Sequence, residues 1–136
     1  MKRGEKMGHR IMVVDDEPTT TDTVAKLLET KGYEPVKAYS GKQCFERLRK
    51  KKVDLIILDI MMPKMNGWEV LERLKKSENY KSIPVILLTV KTYSIDKMLG
   101  LSVFGAVDYI EKPFKKEVLL QRIKTALESR LENEYW

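Results

Sequence analysis

The sequence predicts an open, doubly wound α/β domain: five parallel strands in the order 2-1-3-4-5, with helices on both faces of the sheet. Two observations carry that prediction. Short apolar runs (Ile11-Met12-Val13-Val14, Glu34 to Ala38, Leu55 to Leu58, Val85 to Leu88 and Ala106 to Ile110) alternate with segments of helical periodicity, and a β-then-α alternation closes only as a parallel sheet with right-handed crossovers. The runs also differ in kind. Runs one, three and four are almost wholly apolar, as central strands covered on both faces must be. Run two holds Pro35 between Glu34 and Lys37, and run five carries Asp108, which suits the two edges. With 136 residues, the chain is long enough for one domain and short for two.

The elements follow in turn. The first helix opens near Pro18, places Val24, Leu27 and Leu28 on its apolar side and stops at Gly32. Cys44, Phe45 and Leu48 mark the second helix; as part of its stripe, Cys44 is core packing rather than a nucleophile. Asn66 is the expected N-cap of the third, ahead of Trp68, Val70, Leu71 and Leu74. A fourth helix is expected over 94–101 with Ile95, Met98 and Leu99. The fifth, from about Lys115, spaces Leu119, Ile123, Ala126 and Leu127 for burial.

Composition narrows the class. Hydrophobic residues are 43% and charged residues 34% of the chain, which excludes a disordered tract. No apolar run approaches the roughly 20 residues that span a bilayer, and Met1 to Arg10 lacks the apolar core of a signal peptide. A cytoplasmic protein with no membrane association is expected. The net charge of +6 raises the question of nucleic acid. Its one dense run, Arg49-Lys50-Lys51-Lys52, falls where cations complement a helix C-terminus, so direct nucleic-acid binding is not expected. The lone His9 is given no catalytic or ligand role.

In the predicted order, the switch point lies between strands one and three, and their C-terminal loops open into one crevice. Those loops begin with Asp15-Asp16-Glu17 and with Asp59. Two unit charges ~4 Å apart repel by about 4 kcal/mol at an effective dielectric near 20. A hard divalent cation removes that repulsion, and an oxygen-only donor set suits Mg²⁺. Thr89 leaves the fourth run and Lys112-Pro113 follows the fifth. Successive strand exits thus carry acid, acid, hydroxyl and amine. This set suits transfer of a phosphoryl group to Asp59, with Lys112 and Mg²⁺ neutralising its oxygens and Thr89 donating to one.

The motifs Val14-Asp15-Asp16-Glu17-Pro18, Leu58 to Gly67, Leu88-Thr89, Gly105 to Tyr109 and Lys112-Pro113-Phe114 together resemble the receiver domain of two-component response regulators, a CheY-like, flavodoxin-like (βα)5 family for which the order 2-1-3-4-5 is known. The match runs from about residue 9 to 131, leaving 1–8 as a flexible basic extension and 132–136 as the end of the last helix. The resemblance implies that Asp59 accepts phosphate from a phosphohistidine of a sensor kinase or phosphotransfer protein. It implies that Asp15, Asp16, Asp59 and the backbone carbonyl of Met61 hold Mg²⁺. Thr89 and Lys112 would bind the phosphoryl group, Thr89 and Tyr109 would form the switch pair, and Pro113 would follow a cis peptide. The surface of the fourth helix, fifth strand and fifth helix would signal to an output domain or partner and support a homodimer. Met61, Val90 and Lys91 occupy positions that modulate hydrolysis of the acyl phosphate, and here they predict a long-lived phosphoryl state. Trp68 either packs or neighbours the site. The chain is expected to be a stand-alone receiver or part of a longer regulator.

Three other functions compete for the same residues. A Mg²⁺-dependent phosphohydrolase with an aspartyl-phosphate intermediate would place a second Asp where Met61 stands. A flavin mononucleotide binder would need a phosphate cradle where Asp15-Asp16-Glu17 would repel the cofactor. An unphosphorylated docking module would not need the complete acid and lysine set.

Overall fold

In a computed structural model of the chain, residues 8–62, 64–90 and 105–135 are described, with side chains to residue 129. Five strands, β1 (Arg10–Val14), β2 (Glu34–Ala38), β3 (Leu55–Asp59), β4 (Val85–Val90) and β5 (Asp108–Lys112), form one sheet. The order is β2-β1-β3-β4-β5, and every pairing is parallel. The three apolar runs are central, as expected. Pro35 sits on the edge strand β2, where its missing N–H costs no ladder bond.

Helices cover both faces. α1 (Pro18–Thr30) and the C-terminal helix (Lys116–Tyr135) bury Val24, Leu28, Leu119, Ile123 and Leu127 against Ile11, Val13, Leu55, Ile57, Ile86 and Leu88. α2 (Gly41–Lys50) and α3 (Gly67–Lys76) bury Cys44, Leu48, Val70, Leu71 and Leu74 against Met12, Val14, Ile56, Leu58, Val85 and Leu87. The period-2 alternation of the strands thus feeds two cores, one on each side. Arg47, Arg49 and Lys50 do occupy the last turn of α2. The fourth helix expected over 94–101 lies outside the described residues.

One boundary differs from expectation. The fifth strand is Asp108–Lys112, not Ala106 to Ile110. The apolar pair Ala106-Val107 drew the expected start two residues early. Pairing with β4 sets the true register, with Ile86 opposite Asp108 and Val90 opposite Lys112. Lys112 therefore ends the strand rather than following it, and Thr89 likewise lies within β4.

Candidate acidic phosphoacceptor site

The alternation that builds the core also aims the site. Asp15 continues the phase of Ile11 and Val13, Asp59 that of Leu55 and Ile57, and Lys112 that of Ile110, all on the α1 side of the sheet. Carboxylate oxygens of Asp15, Asp16 and Asp59 lie within 4.8 Å of one another. The Lys112 ammonium donates to Asp15 Oδ2 at 3.0 Å and stands 3.4 Å from Asp59 Oδ1. These groups line an open cleft of ≈ 450 Å³ shared with Glu17, Met61 and Val90. Asp15 and Asp59 are buried and Asp16 is exposed.

The electrostatics follow from that packing. Burial first, then the charge of Asp15, push the Asp59 carboxyl up to about 6. Lys112 and the Met61 N–H, which donates to Asp59 Oδ1 at 3.3 Å, pull the other way. Burial is the largest influence on Lys112 and lowers it, but Asp15 and Asp59 together prevail and the ammonium is raised. Three carboxylates against one ammonium leave two negative charges uncompensated. A divalent cation matches that remainder, and the donor set is all oxygen, as Mg²⁺ requires.

The other expected residues are placed as follows. Thr89 is buried, and its hydroxyl donates to the Val90 carbonyl oxygen at 3.3 Å. It shares the α2–α3 side of the sheet with Leu87, whose partner across the ladder is Tyr109. Tyr109 is partly buried against that core. The Lys112–Pro113 peptide is cis. Met61 is half-exposed at the cleft rim. Trp68 packs against the α2–α3 core. Lys91 lies outside the described residues.

Two further residues, Gly67 and Thr21, shape the backbone that carries the acids. A Cβ at Gly67 would lie 2.5 Å from the Cα of Ile60 and closer still to the carbonyl oxygen of Asp59. Only glycine lets α3 start this close to the acid-bearing turn, where Gly67 N–H donates to the Ile60 carbonyl oxygen at 2.8 Å. Thr21 is buried in α1, and its hydroxyl donates to the Asp15 carbonyl oxygen at 2.8 Å. Its signal was a lone polar residue on an apolar helix stripe.

Comparison with known proteins bears on this geometry. Residues 11–124 match the family model of the response regulator receiver domain. The chain belongs to that family. The phosphate regulon transcriptional regulatory protein PhoB of Pseudomonas aeruginosa is 41% identical over 121 residues, covering 89% of this chain and 52% of that protein. The response regulator GtcR of Aneurinibacillus migulanus is 39% identical over 126 residues, covering 93% and 50%. The chain thus spans about half the length of these curated relatives. Among solved structures, the chemotaxis protein CheY4 of Vibrio cholerae superposes with a TM-score of 0.81 at 30% identity, covering 87% of this chain and 98% of that one. The receiver domain of NtrX from Brucella abortus gives the same four figures. The chain is therefore a receiver domain of the two-component response regulators, a family of phosphoacceptor signalling switches. Receiver domains bind Mg²⁺ at an acidic pocket of this composition.

Proposed function

We propose that Asp59 is the phosphoacceptor, taking a phosphoryl group from a phosphohistidine of a sensor kinase or phosphotransfer protein. The single observation that carries the reading is the convergence of Asp15, Asp16 and Asp59 within 4.8 Å, with Lys112 bridging two of them. Asp15, Asp16, Asp59 and the Met61 backbone carbonyl would hold Mg²⁺, which when bound neutralises phosphoryl oxygens. A carboxylate oxygen of Asp59 forms the O–P bond as the donor's N–P bond breaks and the imidazole leaves. Lys112 exchanges part of its contact with Asp15 for a phosphoryl oxygen. The Thr89 hydroxyl turns from the Val90 carbonyl to donate to another. The space it leaves admits Tyr109, one strand over on the same face. The surface around β5 and the C-terminal helix then changes, and it is the face assigned to an output partner or a second copy. Small phosphodonors serve in place of the kinase, so the domain carries its own phosphorylation and dephosphorylation chemistry. Met61 and Val90, which line the cleft, restrain the hydrolytic water, and Lys91 is the third member of this rate-modulating set.

The same reading takes residues 9–131 as the receiver, with 1–8 as a flexible basic extension and 132–136 as the end of the C-terminal helix. No helix among the described residues is long and apolar enough to cross a membrane, which suits a cytoplasmic setting. The test is incubation with acetyl phosphate and Mg²⁺, read by intact mass and sizing. The expected result is one acid-labile phosphoryl group per chain, absent in Asp59→Asn and absent when a chelator removes Mg²⁺. Phosphate incorporated into folded Asp59→Asn would overturn the assignment.

A further inference from the structure

We propose that Thr21 is a positioning residue for the Asp15–Asp16 pair, an inference that rests on reading Asp15, Asp16 and Asp59 as a Mg²⁺ site. The buried stripe of α1 is Thr21, Val24, Ala25 and Leu28. These are the i, i+3, i+4, i+7 positions that an amphipathic helix fills with apolar side chains. Thr21 is 0% exposed and is the one polar member. Neither propensity nor packing accounts for it, because threonine is a weak helix former and valine has the same shape without a hydroxyl to desolvate. What the hydroxyl does is donate to the Asp15 carbonyl oxygen at 2.8 Å, inside the protein.

Asp15 is where the chain leaves β1. Its N–H donates to the Ala38 carbonyl oxygen at 3.1 Å. Its Oδ1 accepts from the Glu17 N–H at 3.0 Å and its Oδ2 from Lys112 at 3.0 Å. The Thr21 bond supplies the remaining partner, so each polar group of Asp15 is held. The consequence reaches Asp16, because the Asp15 carbonyl and the Asp16 N–H belong to one rigid peptide plane. Fixing that carbonyl sets the direction in which Asp16 leaves the sheet. Among the described residues the Asp16 carboxylate has no hydrogen bond or ion pair of its own, so its aim toward the shared site comes from the backbone. Thr21 thus orders both acids of the loop from behind, without touching a ligand.

The experiment compares wild type, Thr21→Val and Thr21→Ser by calorimetric Mg²⁺ titration and by acetyl phosphate labelling across Mg²⁺ concentrations, with circular dichroism as the fold control. Outer partners that orient metal ligands are worth about 10- to 100-fold in affinity. T21V is expected to bind Mg²⁺ weaker by a factor in that range. The Mg²⁺ concentration for half-maximal labelling rises in step, while the rate at saturating Mg²⁺ recovers. T21S, which keeps the hydroxyl, returns to wild-type affinity. Thr21→Ala carries the same expectation as T21V and covers a valine variant that does not fold. A folded T21V or T21A with wild-type Mg²⁺ affinity, or a T21S as weak as T21V, overturns the inference alone. Wild type that binds no Mg²⁺ overturns the functional reading and this inference with it.

Discussion

Asp59 sits 4% exposed beside Asp15, with one ammonium to share between them. Its carboxyl is pushed up to about 6, against about 3.9 in an unfolded chain. Between those values the folded state holds more protons, so stability falls as pH rises. The contribution is fully present below about pH 4 and is lost as pH rises through about 6. Asp59→Asn should therefore stabilise the metal-free domain by about 1–3 kcal/mol at pH 7, and the gain should shrink toward pH 4. Urea unfolding at the two pH values checks this; an equal gain at both would contradict it. Mg²⁺ affinity should fall as pH drops below about 6, because the proton competes for the same oxygen. Met61 is half-exposed, and it lines the cleft together with Val90. The double variant Met61→Asn, Val90→Ala opens that cleft to water and should shorten the phosphoryl half-life severalfold, measured by loss of labelled phosphate. An unchanged half-life would remove these two side chains from rate control.

At the scale of elements, the start of α3 is set by two local devices. Asn66 Oδ1 accepts from the Glu69 N–H at 3.0 Å while Glu69 Oε1 accepts from the Asn66 N–H at 3.1 Å, a reciprocal cap that satisfies two orphan donors. Losing it in Asn66→Ala should cost about 0.5–2 kcal/mol, with phosphorylation little changed, because the cap faces solvent. Gly67 is different, since its missing Cβ is what lets the helix lie against the Asp59–Ile60 backbone. Gly67→Ala must move that turn and with it Asp59. It is expected to slow acetyl phosphate labelling more than Asn66→Ala does at matched stability. Equal rates in the two variants would show that the turn absorbs the methyl without displacing Asp59.

For the whole molecule, the sheet is a scaffold with a core on each side, and it brings Asp15, Asp59 and Lys112 together at the C-terminal ends of β1, β3 and β5. Removing part of the scaffold should cost stability through the cavity left behind. Ile57→Ala, in the fully buried strand β3, is expected to lose about 2–5 kcal/mol by urea unfolding. Adding the cation should act in the opposite sense and saturably, since a ligand bound only by the folded state stabilises by about 2.7 kcal/mol at a hundredfold excess over Kd. A melting temperature that rises with Mg²⁺ in wild type and much less in Asp59→Asn would express that linkage; a rise equal in both would place the ion elsewhere.

Most of this architecture was readable along the chain, because apolar periodicity reports burial and the two polar-edged runs report sheet edges. The acids, hydroxyl and lysine were also visible, since each stands at the end of an apolar run. Three things required the folded molecule. The register of β5 is set by its partner β4 and not by its own apolar residues, which is why Lys112 proved to end the strand. The need for glycine at position 67 arises from a helix backbone meeting a turn several residues away. The role of Thr21 depends on a carbonyl six residues back in the chain, brought beneath its hydroxyl only when α1 packs onto β1. Periodicity tells which side of an element is buried; it carries no information about which atoms will meet there.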